Sequence, residues 1–490
     1  MSQQRYRSAI KSTTMIGGAA FINMFIGLIR TKVVAVLLGP VGMGMMNMYS
    51  SLLSPITTVA NMGFHTSGVR SIADSAEDAE KLARVVKSLR RIVWVTGLLG
   101  ALFIALFSHQ LSQLSFQNPD HAVSIALLGL VVFFANLSMG QTCLLQGTRR
   151  IADVARINIW SAFYATIVSL PCFWFWGRGG IVPSLILTGL ATLLTSWWFV
   201  RKIEIVNVVV TSNIIWAETR KLLAFGLPVM AASMQTTLTA YFIRLIIANQ
   251  FGVEGVGIWA AAFTISGVLV NFVLQAMGTD YYPRLVAASV DTKAFNDEVN
   301  TQLEIGILLS LPALLLTILF APLGIKLLYT GQFDAAIPIL RWSVFGIFGR
   351  VVSWPLGFTI LALGRGKLFF VVELAANLLH LALMYFCPQY WGLPGTGLGF
   401  AFLYLCYFFL LLPIGHIIAK TRITLQNVKL ILSALTLLIA CSIFSTFFPE
   451  NMISYVVSIS FLTLATLKVY NRLSALTGLK LTKVLQRIKS

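Results

Sequence analysis

The sequence predicts an all-α polytopic membrane protein: two six-helix bundles related by a pseudo-two-fold, plus about two C-terminal helices. Three observations predict it. Hydrophobic residues make up 57% of the 490-residue chain and charged residues only 11%, with a mean hydropathy of +0.84. Apolar runs of about 20 residues recur along the whole length, as needed to cross a bilayer core of about 30 Å. Third, two stretches 213 to 217 residues apart carry the same pattern, an arginine inside an apolar run followed by Gly-x-x-Gly-x-Gly.

Taken in order, the first six spans fall near 13–38, 44–66, 92–108, 122–146, 157–176 and 181–200. The second six fall near 223–250, 256–282, 303–320, 338–363, 368–387 and 395–419, and two more near 428–448 and 453–469. The expected domains are therefore an N-lobe over 1–200, an interlobe linker over 201–222, a C-lobe over 223–419, and an extra pair with a basic tail over 420–490. Six is even, so each half starts on the same side of the membrane and the repeats run parallel. The polar stretch 70–91 reads as a short amphipathic surface helix with i,i+4 charge pairs such as Glu80 with Arg84. Its counterpart is 283–302.

The formal charge of +19 raises the question of nucleic acid, and the placement of the charges excludes it. Lys and Arg gather in alternate loops: Arg5, Arg7 and Lys11; Arg70 to Arg91; Arg149, Arg150 and Arg156; Arg201, Lys202, Arg220 and Lys221; Lys420, Arg422 and Lys429; and Lys480, Lys483, Arg487 and Lys489. The opposite loops hold Arg178, Lys326 and a few acids such as Asp120 and Glu450. This asymmetry puts both termini in the cytoplasm and the basic loops against anionic lipid. The five cysteines show no CxxC spacing, so no metal site or disulfide framework is indicated. Walker A, H-E-x-x-H and G-x-S-x-G motifs are absent, so no catalytic residue, metal or bound cofactor is expected.

The repeat carries the candidate site. Arg30 precedes Gly39, Gly42 and Gly44; Arg244 precedes Gly252, Gly255 and Gly257. The match continues with Met62-Gly63 against Met277-Gly278, Arg70 against Arg284, and Gly147-Thr148-Arg149 against Gly364-Arg365-Gly366. A charge within a bilayer costs roughly 2.5–3.5 kcal/mol on insertion scales, so it faces a cavity or a partner. Arg30 and Arg244 at matched depth predict a central cationic cavity that binds an anionic head group, because the guanidinium fork pairs bidentately with phosphate. The structural alternative is snorkelling or an ion pair. Lys32 points to a different helix face from Arg30. Arg350 sits in mid-span and is weighted like Arg244, while Arg341, nearer an end, reads equally as an interface anchor. Arg70 and Arg284 lie at span ends, where they receive a head group or simply anchor the helix; Asp280, one turn before Arg284, offers it an ion pair.

Glu373, Asn377 and His380 stand at i, i+4 and i+7 and share a helix face. Burial disfavours the charged form of both titratable groups, the condition a proton-coupling site needs; Glu373 with Asn377 equally offers oxygen ligands to Na+. The structural alternative is an interhelical hydrogen-bond network, with Gln235 or Thr239 as partners.

The stretch Thr31 to Gly44 resembles the first-span signature of the O-antigen translocases, the Wzx-type lipid-linked oligosaccharide flippases. These form the polysaccharide transporter branch of the multidrug/oligosaccharidyl-lipid/polysaccharide (MOP) exporter superfamily. Val256-Gly257-Ile258-Trp259, Ile265-Ser266 and Tyr282-Pro283-Arg284-Leu285 resemble the matching region of the second lobe. The resemblance covers most of 10–420. It implies a MATE-like fold, a V-shaped cavity, alternating access coupled to H+ or Na+, and no covalent chemistry. It implies a cargo of undecaprenyl-pyrophosphate carrying one glycan repeat unit, moved from the cytoplasmic to the periplasmic leaflet of a bacterial inner membrane. It adds membrane lipids and a polysaccharide polymerase and chain-length complex as expected partners. Twelve spans are usual for this branch; the extra pair departs from it and resembles the lipid II flippases, which leaves the substrate class open between them. A drug/cation exporter would want acids where the deep arginines stand, and a membrane glycan polymerase or ligase would want a larger outer loop than this chain has.

Overall fold

The computed structural model describes residues 2–447 and 452–477, and every described element is helical. Lys480, Lys483, Arg487, Lys489 and Glu450 lie outside the described residues, as do the side chains of Arg5, Arg7 and Lys11. The long helices in chain order are α1 (Ser2–Asn61), α2 (Phe64–Ala73), α3 (Ala79–Leu106), α4 (Ser108–Phe116), α5 (Ala122–Gly147), α6 (Ile151–Trp176), α7 (Ile181–Val200) and α8 (Ser212–Ala288). They continue with α9 (Thr292–Leu319), α10 (Ala321–Leu328), α11 (Ala336–Ala362), α12 (Gly366–Trp391), α13 (Gly395–Ala419), α14 (Leu425–Phe447) and α15 (Met452–Thr477).

Among the described residues ten segments are long and apolar enough to cross a membrane, so this is a multi-pass membrane protein. Three of the ten, of 36, 50 and 56 residues, exceed one crossing. Each changes direction inside: at Gly39, at the short 3-10 turn Gly177–Gly180, and at Gly252. Split at these breaks, they restore the expected order of spans. α14 and the shorter apolar stretch of α15, Tyr455–Leu467, supply the extra pair.

The breaks follow from glycine. Gly39 has φ 63° and ψ −169°, and Gly252 has φ 70° and ψ 178°. Side chains with a Cβ are essentially excluded from that region. The repeat extends to features that the motif alone does not show. Asp78 caps α3 by accepting from the amides of Glu80 and Lys81, each at 3.0 Å. Asp291 caps α9 in the same way, accepting from Lys293 at 3.0 Å and Ala294 at 3.4 Å. Left-handed Arg149 (φ 59°) ends α5 as left-handed Gly364 (φ 70°) ends α11. The true equivalence is therefore Arg149 with Gly364, two residues away from the Gly147–Gly364 alignment read from the sequence. Identical residues in the two copies there are a coincidence of composition; the shared helix-ending conformation sets the register. A further difference concerns 70–91. It holds no separate surface helix: only 74–78 leave the helical state, and 79–91 are the first turns of α3, continuous with the span. The expected Glu80–Arg84 pair is present at 3.0 Å.

By its internal packing the chain divides into one unit of residues 1–257 with 328–330, and a second of 258–327 with 331–490. In the first, α5 packs between α3 and α7, and α6 packs on α1 and α7. Its core joins Val34, Leu38, Leu52, Leu128, Val132 and Phe173. A buried amide ties two of these helices: Asn136 Nδ2 donates to the carbonyl of Val93 and to Thr96 Oγ1, both at 2.9 Å. Polar bonds of this kind hold helices together where lipid gives no hydrophobic drive.

In the second unit α11 packs on α13 and α9, and α14 and α15 pack on α9. Asn300 of α9 anchors the loop that leads into α14. Its Nδ2 donates to the Arg422 carbonyl at 2.9 Å, and its Oδ1 accepts from the Thr424 amide at 2.9 Å and from Asn427 Nδ2 at 3.0 Å. Arg341 adds a second tether, with Nη2 donating to the Ser445 carbonyl at 2.6 Å. The extra pair is thus built into the second unit. Asn300→Leu is expected to leave the Arg422 carbonyl and the Thr424 amide unpaired and to lower the thermal midpoint in detergent by a loss of about 1–2 kcal/mol. An unchanged midpoint would remove Asn300 as the anchor.

Candidate functional site

The two Gly-x-x-Gly-x-Gly turns meet inside the first unit. A Cβ on Gly44 would lie 1.9 Å from the Val253 carbonyl oxygen, and a Cβ on Gly257 would lie 1.9 Å from the Pro40 carbonyl oxygen. No side chain fits either place, so the junction is backbone against backbone. Both arginines are measured from it. Arg30 precedes Gly39 by nine residues and Arg244 precedes Gly252 by eight, about 13 and 12 Å of helix. The two arginines are thus set off from the same junction by nearly equal lengths of helix.

Both are only partly exposed. Arg30 has a buried Nε without a hydrogen bond, and its side chain has no ion pair among the described residues. Arg244 donates from Nη1 to the Ala240 carbonyl at 2.8 Å, a neutral acceptor one turn back in its own helix. Lys32 reaches elsewhere, donating from Nζ to the Tyr329 carbonyl.

The two end-of-span arginines differ from each other. Arg70 is mostly exposed, 3.8 Å from Asp74 and 5.0 Å above the Phe225 ring centroid. Arg284 is engaged on three sides: Nε with Asp280 at 3.0 Å, Nη1 with Glu298 at 2.8 Å and Nη2 with Gln302 Oε1 at 3.4 Å. A guanidinium shared by two carboxylates has its donors oriented toward them, and such a geometry favours the ion-pair role for Arg284.

In the second unit, Glu373, Asn377 and His380 do share a face of α12, but they are not knit into one network. Glu373 Oε1 accepts from Tyr407 Oη of α13 at 2.6 Å. His380 packs against Phe400, ring centroids 5.8 Å apart, with Nε2 buried and without a hydrogen bond. Asn377 makes no side-chain hydrogen bond among the described residues. Tyr404, half-buried next to Tyr407, lies within electrostatic reach of both Arg350 of α11 and Glu373. Arg350 and Glu373, read separately from the sequence, thus belong to one cluster with Tyr404 and Tyr407. The two tyrosines carried no signal in the sequence, since an aromatic in an apolar span reads as packing. No group of three or more metal-ligating side chains exists among the described residues.

Residues 33–338 match the family model described as "Polysaccharide biosynthesis protein". The chain belongs to this family. A protein of Shigella flexneri named as an O-antigen transporter is 23% identical over 371 residues, spanning 74% of this chain and 87% of that one. The lipid III flippase of Escherichia coli K12 is 22% identical over 413 residues, 82% of this chain and 96% of that one. Among solved structures, the lipid II flippase MurJ in an inward closed conformation aligns with a TM-score of 0.73 at 15% identity, over 94% of this chain and 99% of MurJ. An inward-facing MATE family transporter of the MOP superfamily aligns with a TM-score of 0.69 at 15% identity, over 81% and 94%. The fold is that of MOP-superfamily transporters, and the resemblance read from the sequence is borne out.

Arg284→Gln is expected to lower the thermal midpoint in detergent, at a cost of about 1–3 kcal/mol, because Glu298 loses its charged partner. A midpoint equal to wild type would return Arg284 to the pool of free head-group ligands.

Proposed function

We propose that this protein is a flippase that carries an undecaprenyl-pyrophosphate-linked glycan repeat unit, of O-antigen or a related surface polysaccharide, from the cytoplasmic to the periplasmic leaflet of a bacterial inner membrane. The observation that carries the reading is the unpaired Arg30, at the same depth from the glycine junction as Arg244. Leaving a guanidinium unpaired in a membrane protein costs several kcal/mol, which a transient pyrophosphate offsets and a permanent carboxylate partner would not leave room for. Family membership, one relative named as an O-antigen transporter and one named as a lipid III flippase support the cargo class.

In this reading the lobes are 1–200 and 223–419, joined by 201–222, with both termini cytoplasmic. The polar head enters from the cytoplasm, Arg30 and Arg244 neutralise its phosphates, and the lipid tail stays in the bilayer. The lobes then rock, and the head is released outside. Beside Arg30 and Arg244, Arg70 is exposed enough to meet a head group, whereas Lys32 is held by the Tyr329 carbonyl and Arg284 by Asp280 and Glu298; Arg350 serves the Glu373 cluster of the second unit. Coupling runs through Glu373. Glu373 accepts from Tyr407 Oη at 2.6 Å, in the cluster that also holds Tyr404 and Arg350. A second reading takes the cargo to be lipid III, after which the Escherichia coli relative is named, with the same head-group chemistry.

A deletion strain is expected to lose surface polysaccharide and to hold lipid-linked repeat units on the cytoplasmic side; units still reaching the outside would defeat the flippase reading, and the precursor that accumulates separates the two cargoes. Arg30→Ala and Arg244→Ala are each expected to reduce complementation at least tenfold at normal abundance. That is the scale of one lost charge-assisted bond, about 1.5–3 kcal/mol. Full activity in both would remove the site. Glu373→Gln is expected to abolish the response of transport in proteoliposomes to an imposed pH gradient, and an unaltered response would exclude Glu373 from coupling.

A further inference from the structure

A second cationic pocket lies on the first unit, away from every residue assigned above. It is a cavity of about 730 Å³ between α3, α5 and α7, floored by Ile203 and Ile205 of the segment that follows α7. Two arginines line it, Arg90 and Arg201, together with Gln141, and no carboxylate does. Glu204, between the two floor residues, is exposed and is not part of the lining. Arg90 has no hydrogen bond or ion pair among the described residues. Arg201 lies 5.4 Å from the Trp197 ring centroid and has no ion pair among them either. Gln141 Oε1 accepts from the Ser196 hydroxyl, which leaves its amide NH2 as a further donor.

The rest of the lining is of the opposite character. Leu137, Leu193 and Leu194 form an apolar wall, and the half-exposed Trp94 and Trp197 stand between it and the arginines. Paired tryptophans at that border are the signature of a membrane interface. The floor is held in place from outside the pocket: Lys87 Nζ donates to Asn207 Oδ1 and to the Val208 carbonyl, both at 2.6 Å. The pocket is therefore a preformed feature.

We propose that this pocket binds one anionic glycerophospholipid of the cytoplasmic leaflet. Its phosphate sits between Arg90 and Arg201 with Gln141 as a third donor, and its acyl chains lie along the leucine wall. A soluble anion would satisfy the arginines and leave the leucines and tryptophans unused; a zwitterionic lipid would bring a cation to a pocket without an acid. Because the floor belongs to the segment leading from α7 to α8, an occupied site braces the connection between the two halves of the repeat.

The test is native mass spectrometry of the full-length protein titrated with phosphatidylglycerol, phosphatidylcholine or soluble glycerol 3-phosphate. Phosphatidylglycerol is expected to bind at least tenfold more tightly than phosphatidylcholine, with one high-affinity molecule per chain. Arg90→Gln with Arg201→Gln is expected to remove that difference, whereas Arg91→Gln, one residue along and outside the pocket, leaves it intact. A protein with Arg90→Lys and Arg201→Lys keeps both charges without the planar fork and is expected to retain a reduced preference, which gives a reading even if the double glutamine protein fails to fold. Equal binding of the two lipids, loss in Arg91→Gln as large as in the double variant, or displacement of the lipid by glycerol 3-phosphate at equal concentration would each overturn the assignment. None of these outcomes bears on Arg30 or Arg244, so the cargo site stands or falls separately.

Discussion

Two glycine turns pressed backbone to backbone are the constraint on which the rest of the site depends. At Gly44 and Gly257 a single methyl group would lie 1.9 Å from a carbonyl oxygen of the other turn. At Gly39 and Gly252 the dihedrals themselves exclude a Cβ. The first condition brings the turns together and the second lets each helix break where it must. Arg30 and Arg244 inherit their position from this contact. A helix has a fixed rise, so nine and eight residues from a shared junction amount to nearly the same depth, however the side chains are arranged. The spacing of the two arginines from the junction is thus held by backbone geometry.

The second unit organises charge differently. Arg350, Tyr404, Tyr407 and Glu373 come from three helices, α11, α13 and α12, and the tyrosines mediate between opposite charges. In this cluster the carboxylate has a hydroxyl partner from another helix, whereas Arg30 of the first unit has no ion pair among the described residues. The tethers from Asn300 and Arg341 to the loop and helix around α14 show that the C-terminal pair is structural to this unit.

Much of this was legible in the chain. Glycine's dihedral freedom and the cost of a buried charge are local properties, so Arg30, Arg244 and both glycine motifs stand out without coordinates. Hydropathy fixed the membrane class and the order of the spans for the same reason: every apolar run must be long enough for the bilayer. The paired arrangement of Arg70 and Arg284 was visible too, because an offset of about 214 residues is plain on inspection. Boundaries were less so. The polar stretch 70–91 reads as a separate helix because its charges are exposed, but Asp78 caps a single helix, from Ala79, that carries on into the membrane.

The sequence by itself determined class, repeat and the residues that are costly to bury, since each of these depends on composition and local spacing. Only the tertiary structure decided which of those residues are already paired. Arg70 and Arg284 look alike in the chain, yet Glu298, 14 positions on and in the next helix, occupies Arg284 and nothing comparable occupies Arg70. Likewise Tyr407 joins Glu373, and Arg90 and Arg201 come to line one cavity between α3, α5 and α7. Pairing between helices depends on which faces meet, and helix packing, rather than spacing along one chain, fixes that.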